Sequence, residues 1–169
     1  MGMGEGRNAV FLAQKGHKVT GVDISSVAIK KSYLLAKEFG VKIKGITASL
    51  ENYQIPPNTF DAIICFYYVD RGLIDKMISW LKPGGILIYE AYTEREMKKT
   101  RSSLLMQSQL AGSLSRKGDN LSGVSYLRES ELLNLFSGMR VLKYEEPLHE
   151  KHFRSSIILR KEKSPSPQN

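Results

Sequence analysis

Glycines at positions 2, 4 and 6 open the sequence. They run into an apolar helical pattern over Arg7 to Lys15, and a strand pattern follows that closes on Asp23. This arrangement constrains the fold more than any other stretch. Glycine permits left-handed backbone and lets the chain approach a ligand closely, and a helix entered from such a turn presents unpaired N–H groups to an anion. A carboxylate at the end of the next strand is placed to accept hydrogen bonds from ribose hydroxyls. The pattern is that of a nucleotide-binding turn in an open α/β sheet. Such a turn ordinarily follows a strand, and here the sequence begins inside it.

The rest of the chain alternates strand and helix signals, as βαβ units and a mainly parallel sheet require. A strand is expected over Lys18 to Val22. Ser25 is a good N-cap for a helix packed through Ala28, Ser32, Leu35, Ala36 and Phe39, and Gly40 ends it. Further strands are expected at Val41 to Thr47, at the apolar run Phe60 to Tyr67, and at Ile86 to Glu90. A helix over Asp70 to Leu81, closed by Lys82-Pro-Gly-Gly85, separates the last two. Glu94 to Ser125 is polar, basic and serine-rich and reads as a long loop across the sheet edge. A short helix over Ser130 to Phe136 follows, then strands over Val141 to Glu146 and Ser155 to Lys161 that pair antiparallel. The tail beyond residue 161 lacks apolar residues and is expected to be disordered, leaving one domain over residues 1–161.

Composition limits the function classes. No apolar run reaches the roughly 18 residues a membrane span needs, and the N-terminus has no signal-peptide pattern. The single cysteine, Cys65, excludes an internal disulfide; it fits a reducing cytoplasm and reads as a buried small hydrophobe. The net charge of +8 is uneven: Arg95, Lys98, Lys99, Arg101, Arg116 and Lys117 against Glu94 and Glu96 give residues 94–117 half of it. No aromatics interleave these cations, as a single-strand nucleic-acid surface would require. Attraction of an anionic substrate or of RNA stays open beside a solvated loop. His149 and His152 have helical spacing but no cysteine or acidic cluster, so no metal site is expected. His17 reads as a surface residue, and Arg71 as a salt-bridge partner in preference to a substrate ligand.

Gly4-Glu-Gly6-Arg-Asn-Ala9, with Asp23 near the usual spacing, also fits the dinucleotide pattern of nicotinamide dehydrogenases. Downstream words separate the two. Phe60-Asp-Ala-Ile-Ile64 and Leu81-Lys-Pro-Gly-Gly85-Ile-Leu-Ile, taken with the glycine turn and Asp23, resemble the class I S-adenosylmethionine-dependent methyltransferases. The sequence is closer to their tellurite-resistance (TehB-like) branch. The shared words are Val19-Thr-Gly-Val-Asp-Ile-Ser25, Glu90-Ala-Tyr-Thr93, Glu131-Leu-Leu-Asn-Leu-Phe136 and Val141-Leu-Lys-Tyr-Glu-Glu146.

The resemblance implies a doubly wound, Rossmann-like α/β fold: a mostly parallel sheet with an antiparallel C-terminal strand, lacking the family's first, central strand. It implies S-adenosyl-L-methionine as cofactor. Gly2, Gly4 and Gly6 would lie under its methionine part, Asp23 would hold the ribose diol and Ile24 would line the adenine. Ser49 stands where relatives often carry an aspartate against the adenine amino group, so that contact would be weaker or come from the Leu50 backbone. Phe66 and Tyr67, with Tyr68, would form an aromatic wall by the sulfonium, and residues 94–125 would be the substrate lid. No residue is singled out as catalytic, because in-line transfer from a sulfonium depends mostly on proximity. The implied acceptor is a small molecule, soft or anionic, such as a chalcogen species or a thiol. A cofactor-binding fragment without activity and an RNA methyltransferase using residues 94–117 are the alternatives.

Overall fold

A computed structural model describes residues 1–110, 125–146 and 152–163. Helix α1 (Arg7–Gln14) leads into strand β1 (Thr20–Asp23), helix α2 (Ser26–Glu38) and strand β2 (Lys44–Thr47), which pairs in parallel with β1. Strand β3 (Phe60–Phe66), a 3-10 turn at Arg71–Leu73, helix α3 (Ile74–Trp80) and strand β4 (Leu81–Tyr92) come next. They are followed by α4 (Glu94–Leu110), α5 (Glu131–Leu135), β5 (Arg140–Glu145) and β6 (Arg154–Arg160). β3 and β4 are parallel, β6 runs antiparallel to β4, and β5 closes the edge antiparallel to β6, giving the order β3-β4-β6-β5. The expected α/β class and the C-terminal antiparallel hairpin are both present.

The strands form two sheets. Between them Met1 N donates to Ile64 O at 2.7 Å and Met3 N to Val22 O at 3.0 Å, so residues 1–3 run between the edges of β1 and β3. The Met3 side chain packs across β1 at Gly21, where a Cβ would lie 1.8 Å from Met3 Sδ, so any larger residue there would require Met3 to shift. One apolar core spans both sheets, taking in Val22 and Leu50 together with Ile63, Leu87, Tyr89, Leu132, Phe136 and Leu159.

Four local expectations are corrected. α2 buries Ile29, Ser32 and Ala36, whereas Phe39 is 49% exposed; it sits at the C-cap, where Gly40 at φ +65° turns the chain away. The helix expected over Asp70 to Leu81 divides into the 3-10 turn and α3, because Asp70 accepts Gly72 N with its own side chain at 2.9 Å. The strand expected from Ile86 starts at Leu81: pairing passes from Phe60↔Leu81 to Ala62↔Ile86, and Lys82-Pro-Gly-Gly85 is absorbed as a bulge. Glu94 to Leu110, expected as loop, is helical. That stretch has no glycine or proline and carries Glu94 and Glu96 in its first turn, where acids favour a helix. Residues 111–124 of the expected lid, with Arg116 and Lys117, lie outside the described residues, as do His149 and the tail from residue 164. Among the described residues no helix is long and apolar enough to cross a membrane.

Candidate active site

The glycine turn is folded against the end of β1. Gly2, Gly4 and Gly6 adopt φ of +58°, +56° and +87°. A Cβ on Gly6 would stand 2.6 Å from Ser32 Cβ, so α1 and α2 approach each other only across a glycine. Asp23 locks the turn: Oδ2 accepts Gly4 N at 2.7 Å and Oδ1 accepts Ser25 N at 2.9 Å. A carboxylate has about four lone-pair sites, so Asp23 keeps acceptor capacity for hydroxyl donors after making both bonds. Gly6 gives α1 no side-chain cap and the first turn holds no acid, which suits its N–H groups to an anionic ligand.

The adenine-side residues gather at the same strand ends. Ile24 follows Asp23 directly and is 76% exposed, so it presents apolar surface at the strand end beside the turn. Ala48 N donates to Asp23 O at 3.0 Å, which brings the Ala48-Ser49-Leu50 segment beside it. The Ser49 carbonyl accepts Asn52 N and Tyr53 N, forming the turn after β2. The Leu50 side chain is buried in the core, leaving only its backbone toward this edge.

At the end of β3, around Tyr67 of the expected aromatic wall, the structure adds Glu90, Tyr92 and Arg154, which the sequence did not single out as site residues. Tyr67 has φ +57°, a left-handed conformation costly for a bulky residue. It is held there by Tyr67 N donating to Glu90 O at 2.7 Å, by its hydroxyl donating to Glu90 Oε1 at 2.5 Å, and by stacking on Tyr92 at 4.8 Å. Arg154 Nη1 lies 3.4 Å from the same Glu90 oxygen. Burial and then the bond to Glu90 push the Tyr67 phenol up, so it remains a donor. Beyond Tyr92, His152 Nδ1 is 3.1 Å from Glu96 Oε1, and Phe153 N donates to Glu96 Oε2 at 2.7 Å. Burial opposes ionisation of Glu96, but these bonds hold it below the usual range. In the sequence Tyr67 stood out as part of the aromatic wall and Glu90 as an acid inside the apolar run Ile86 to Tyr92, but nothing there joined the two.

Phe66 is half-buried and tilted against Tyr67 at 6.4 Å. Tyr68 borders the glycine turn, 3.4 Å from where a Gly2 Cβ would lie. Arg71 makes two bonds to Glu131, at 2.7 and 2.9 Å, and a third to Tyr126 O. Cys65 is buried, and desolvation raises its thiol to about 11, so it is inert. His17 is exposed. Among the described residues no cluster of three or more His, Cys, Asp or Glu is placed to hold a metal ion.

A glycine turn locked to a strand-end carboxylate, packed beside a sheet that ends in two antiparallel strands, is the arrangement of a Rossmann-like fold. The chain belongs to the methyltransferase domain family, whose profile matches residues 1–85, half of its length. Ubiquinone biosynthesis O-methyltransferase of Rickettsia canadensis is 27% identical over 143 residues. The match takes in 81% of this chain but 58% of that relative. Among solved structures, a SAM-dependent methyltransferase from Methanosarcina mazei superposes with a TM-score of 0.72 at 22% identity, covering 96% of this chain and 91% of its own. TehB from Haemophilus influenzae gives 0.68 at 18%, covering 95% of this chain and 56% of its own. These structural likenesses concern the fold.

Proposed function

We propose that the chain is an S-adenosylmethionine-dependent methyltransferase acting on a small-molecule acceptor, with its site carried by a single domain over residues 1–161. The observation that carries this reading is the Gly4–Asp23–Ser25 lock inside a methyltransferase-family fold. When bound, S-adenosylmethionine supplies an electrophilic methyl group on a sulfonium. The chain's residues supply the rest. Gly2, Gly4 and Gly6 leave room under the methionine part, and the uncapped first turn of α1 receives its carboxylate. Asp23 accepts the ribose hydroxyls, Ile24 covers one face of the adenine, and Ser49 with the Leu50 backbone borders its edge. Phe66 and Tyr67 turn ring surface toward the positive sulfur. Holding donor and acceptor in line supplies much of the acceleration.

The small-molecule acceptor and the TehB-like branch are parts of this proposal. The first is supported by the name of the Rickettsia relative, the second by the words shared in the glycine turn, Asp23 and Glu90-Ala-Tyr-Thr93. Calorimetric titration of S-adenosylmethionine tests the reading. Saturable binding that weakens in Asp23→Ala supports it, and absence of binding in the wild-type chain contradicts it.

A further inference from the structure

We propose that Glu90 is the proton acceptor for methyl transfer to a hydroxyl group on a planar aromatic acceptor. Tyr67 and Arg154 position its carboxylate, and Tyr67 and Tyr92 provide the surface on which the acceptor ring lies. The inference rests on the methyltransferase reading of the site and deepens it.

Four observations converge. Glu90 is placed where an apolar residue would be expected. It lies on the half-buried face of β4 that Ile88 and Tyr92 share, opposite Tyr89 and Ala91, and its own side chain is 21% exposed. Keeping a carboxylate there costs desolvation, which its bonds from Tyr67 and Arg154 offset. Next, the backbone at Tyr67 is strained, and all three contacts that hold it converge on Glu90 and Tyr92. Strain of this kind concentrates where a side chain must be aimed. The stacked Tyr67–Tyr92 pair leaves Tyr67 50% exposed, ring surface that a flat acceptor can cover. Finally, the cluster is at the carboxyl end of β3 and β4, one residue from Tyr68, which borders Gly2. The acid therefore stands beside the cradle and not on a remote face.

The chemistry selects the acceptor class. A thiolate or a chalcogen anion arrives ionised and needs no base. A phenolic hydroxyl must lose its proton as the bond forms, and a positioned carboxylate contributes typically 100-fold or more to such a step. The acceptor oxygen forms a bond to the methyl carbon. The carbon–sulfur bond breaks with its electron pair staying on sulfur, and the acceptor proton passes to Glu90. The products are a methyl ether, a neutral thioether and a protonated Glu90 that returns its proton to water. The soft acceptor implied by resemblance would leave this carboxylate without a task.

The test uses catechol, a phenol that stays protonated at neutral pH, as acceptor, with S-adenosylmethionine binding followed in parallel by calorimetry. The wild-type chain should methylate catechol. Glu90→Gln, which can still accept the Tyr67 hydroxyl, should bind S-adenosylmethionine normally and turn over roughly 100-fold more slowly or worse. Glu90→Ala should regain turnover when formate is added, a rescue that a purely structural carboxylate would not show. If the wild-type chain binds S-adenosylmethionine but does not methylate catechol, or if Glu90→Gln turns over at the wild-type rate, the proposal is overturned and the methyltransferase reading survives. Should Glu90→Gln lose cofactor binding through misfolding, formate rescue of Glu90→Ala decides, and its failure overturns the proposal. Absence of S-adenosylmethionine binding by the wild-type chain overturns both.

Discussion

The carboxylate of Asp23 fastens the glycine turn before any ligand is bound, since Gly4 N and Ser25 N both donate to it. Its removal therefore acts twice. Asp23→Ala should weaken S-adenosylmethionine binding by about 1.5–3 kcal/mol through lost charge-assisted bonds, read by calorimetry, and should also lower the melting temperature. Gly6→Ala isolates the cradle. Its Cβ would meet Ser32 at 2.6 Å in a left-handed conformation, so a loss of about 1–3 kcal/mol of stability is expected in urea unfolding. These residues were legible because their demands are local: a glycine turn and a strand-end acid show in sequence order. Tyr67 was legible as part of an aromatic wall, but its tie to Glu90 and Arg154 was not, since the pairing joins positions 23 and 64 residues apart and leaves no period in the sequence.

Between elements, a two-bond ion pair joins the turn after β3 to α5. Glu131 is buried, and Arg71 first of all, with Arg128 assisting, depresses its carboxyl to about 2 against burial. A depressed carboxyl stabilises the fold above its unfolded value of 4.5 and loses that contribution as pH falls toward 2. Wild-type stability should accordingly drop through that window, and Glu131→Gln should flatten the drop when urea midpoints are compared across pH. Arg71→Ala strands the buried acid and should cost about 1–3 kcal/mol at neutral pH, moderated because Arg71 is half-exposed. At this scale the strands and the other helices were legible, but α4 and some boundaries were not. The bulge at Lys82–Gly85 depends on its parallel partner, and α4 was hidden because serine and charge mimic a loop while the helix docks through Thr93, Glu94 and Glu96 to residues far along the chain. Of its cations, Arg95 pairs with Glu129 and Lys99 packs over Phe153.

Across the molecule, one core holds two sheets together, and its centre is β4, flanked by β3 and β6. Leu87, fully buried there, should cost about 2–5 kcal/mol when replaced by alanine, whereas Val141→Ala on the exposed edge strand should change stability by about 0.5 kcal/mol or less. Denaturant unfolding of both variants checks the contrast. The α/β class and the antiparallel end of the sheet were legible from alternation and apolar runs. The division into two sheets was not, because it depends on how residues 1–3 sit between β1 and β3. The central claim is that the carboxyl ends of β1, β2 and β3 form one cofactor cradle. It is tested most directly by following backbone amide resonances as S-adenosylmethionine is added. The account predicts concerted shifts at Gly2, Gly4, Gly6, Asp23, Ile24, Ser49 and Tyr67, with Arg140 to Glu145 unmoved. Shifts confined to other surfaces, or none at saturating ligand, would contradict it.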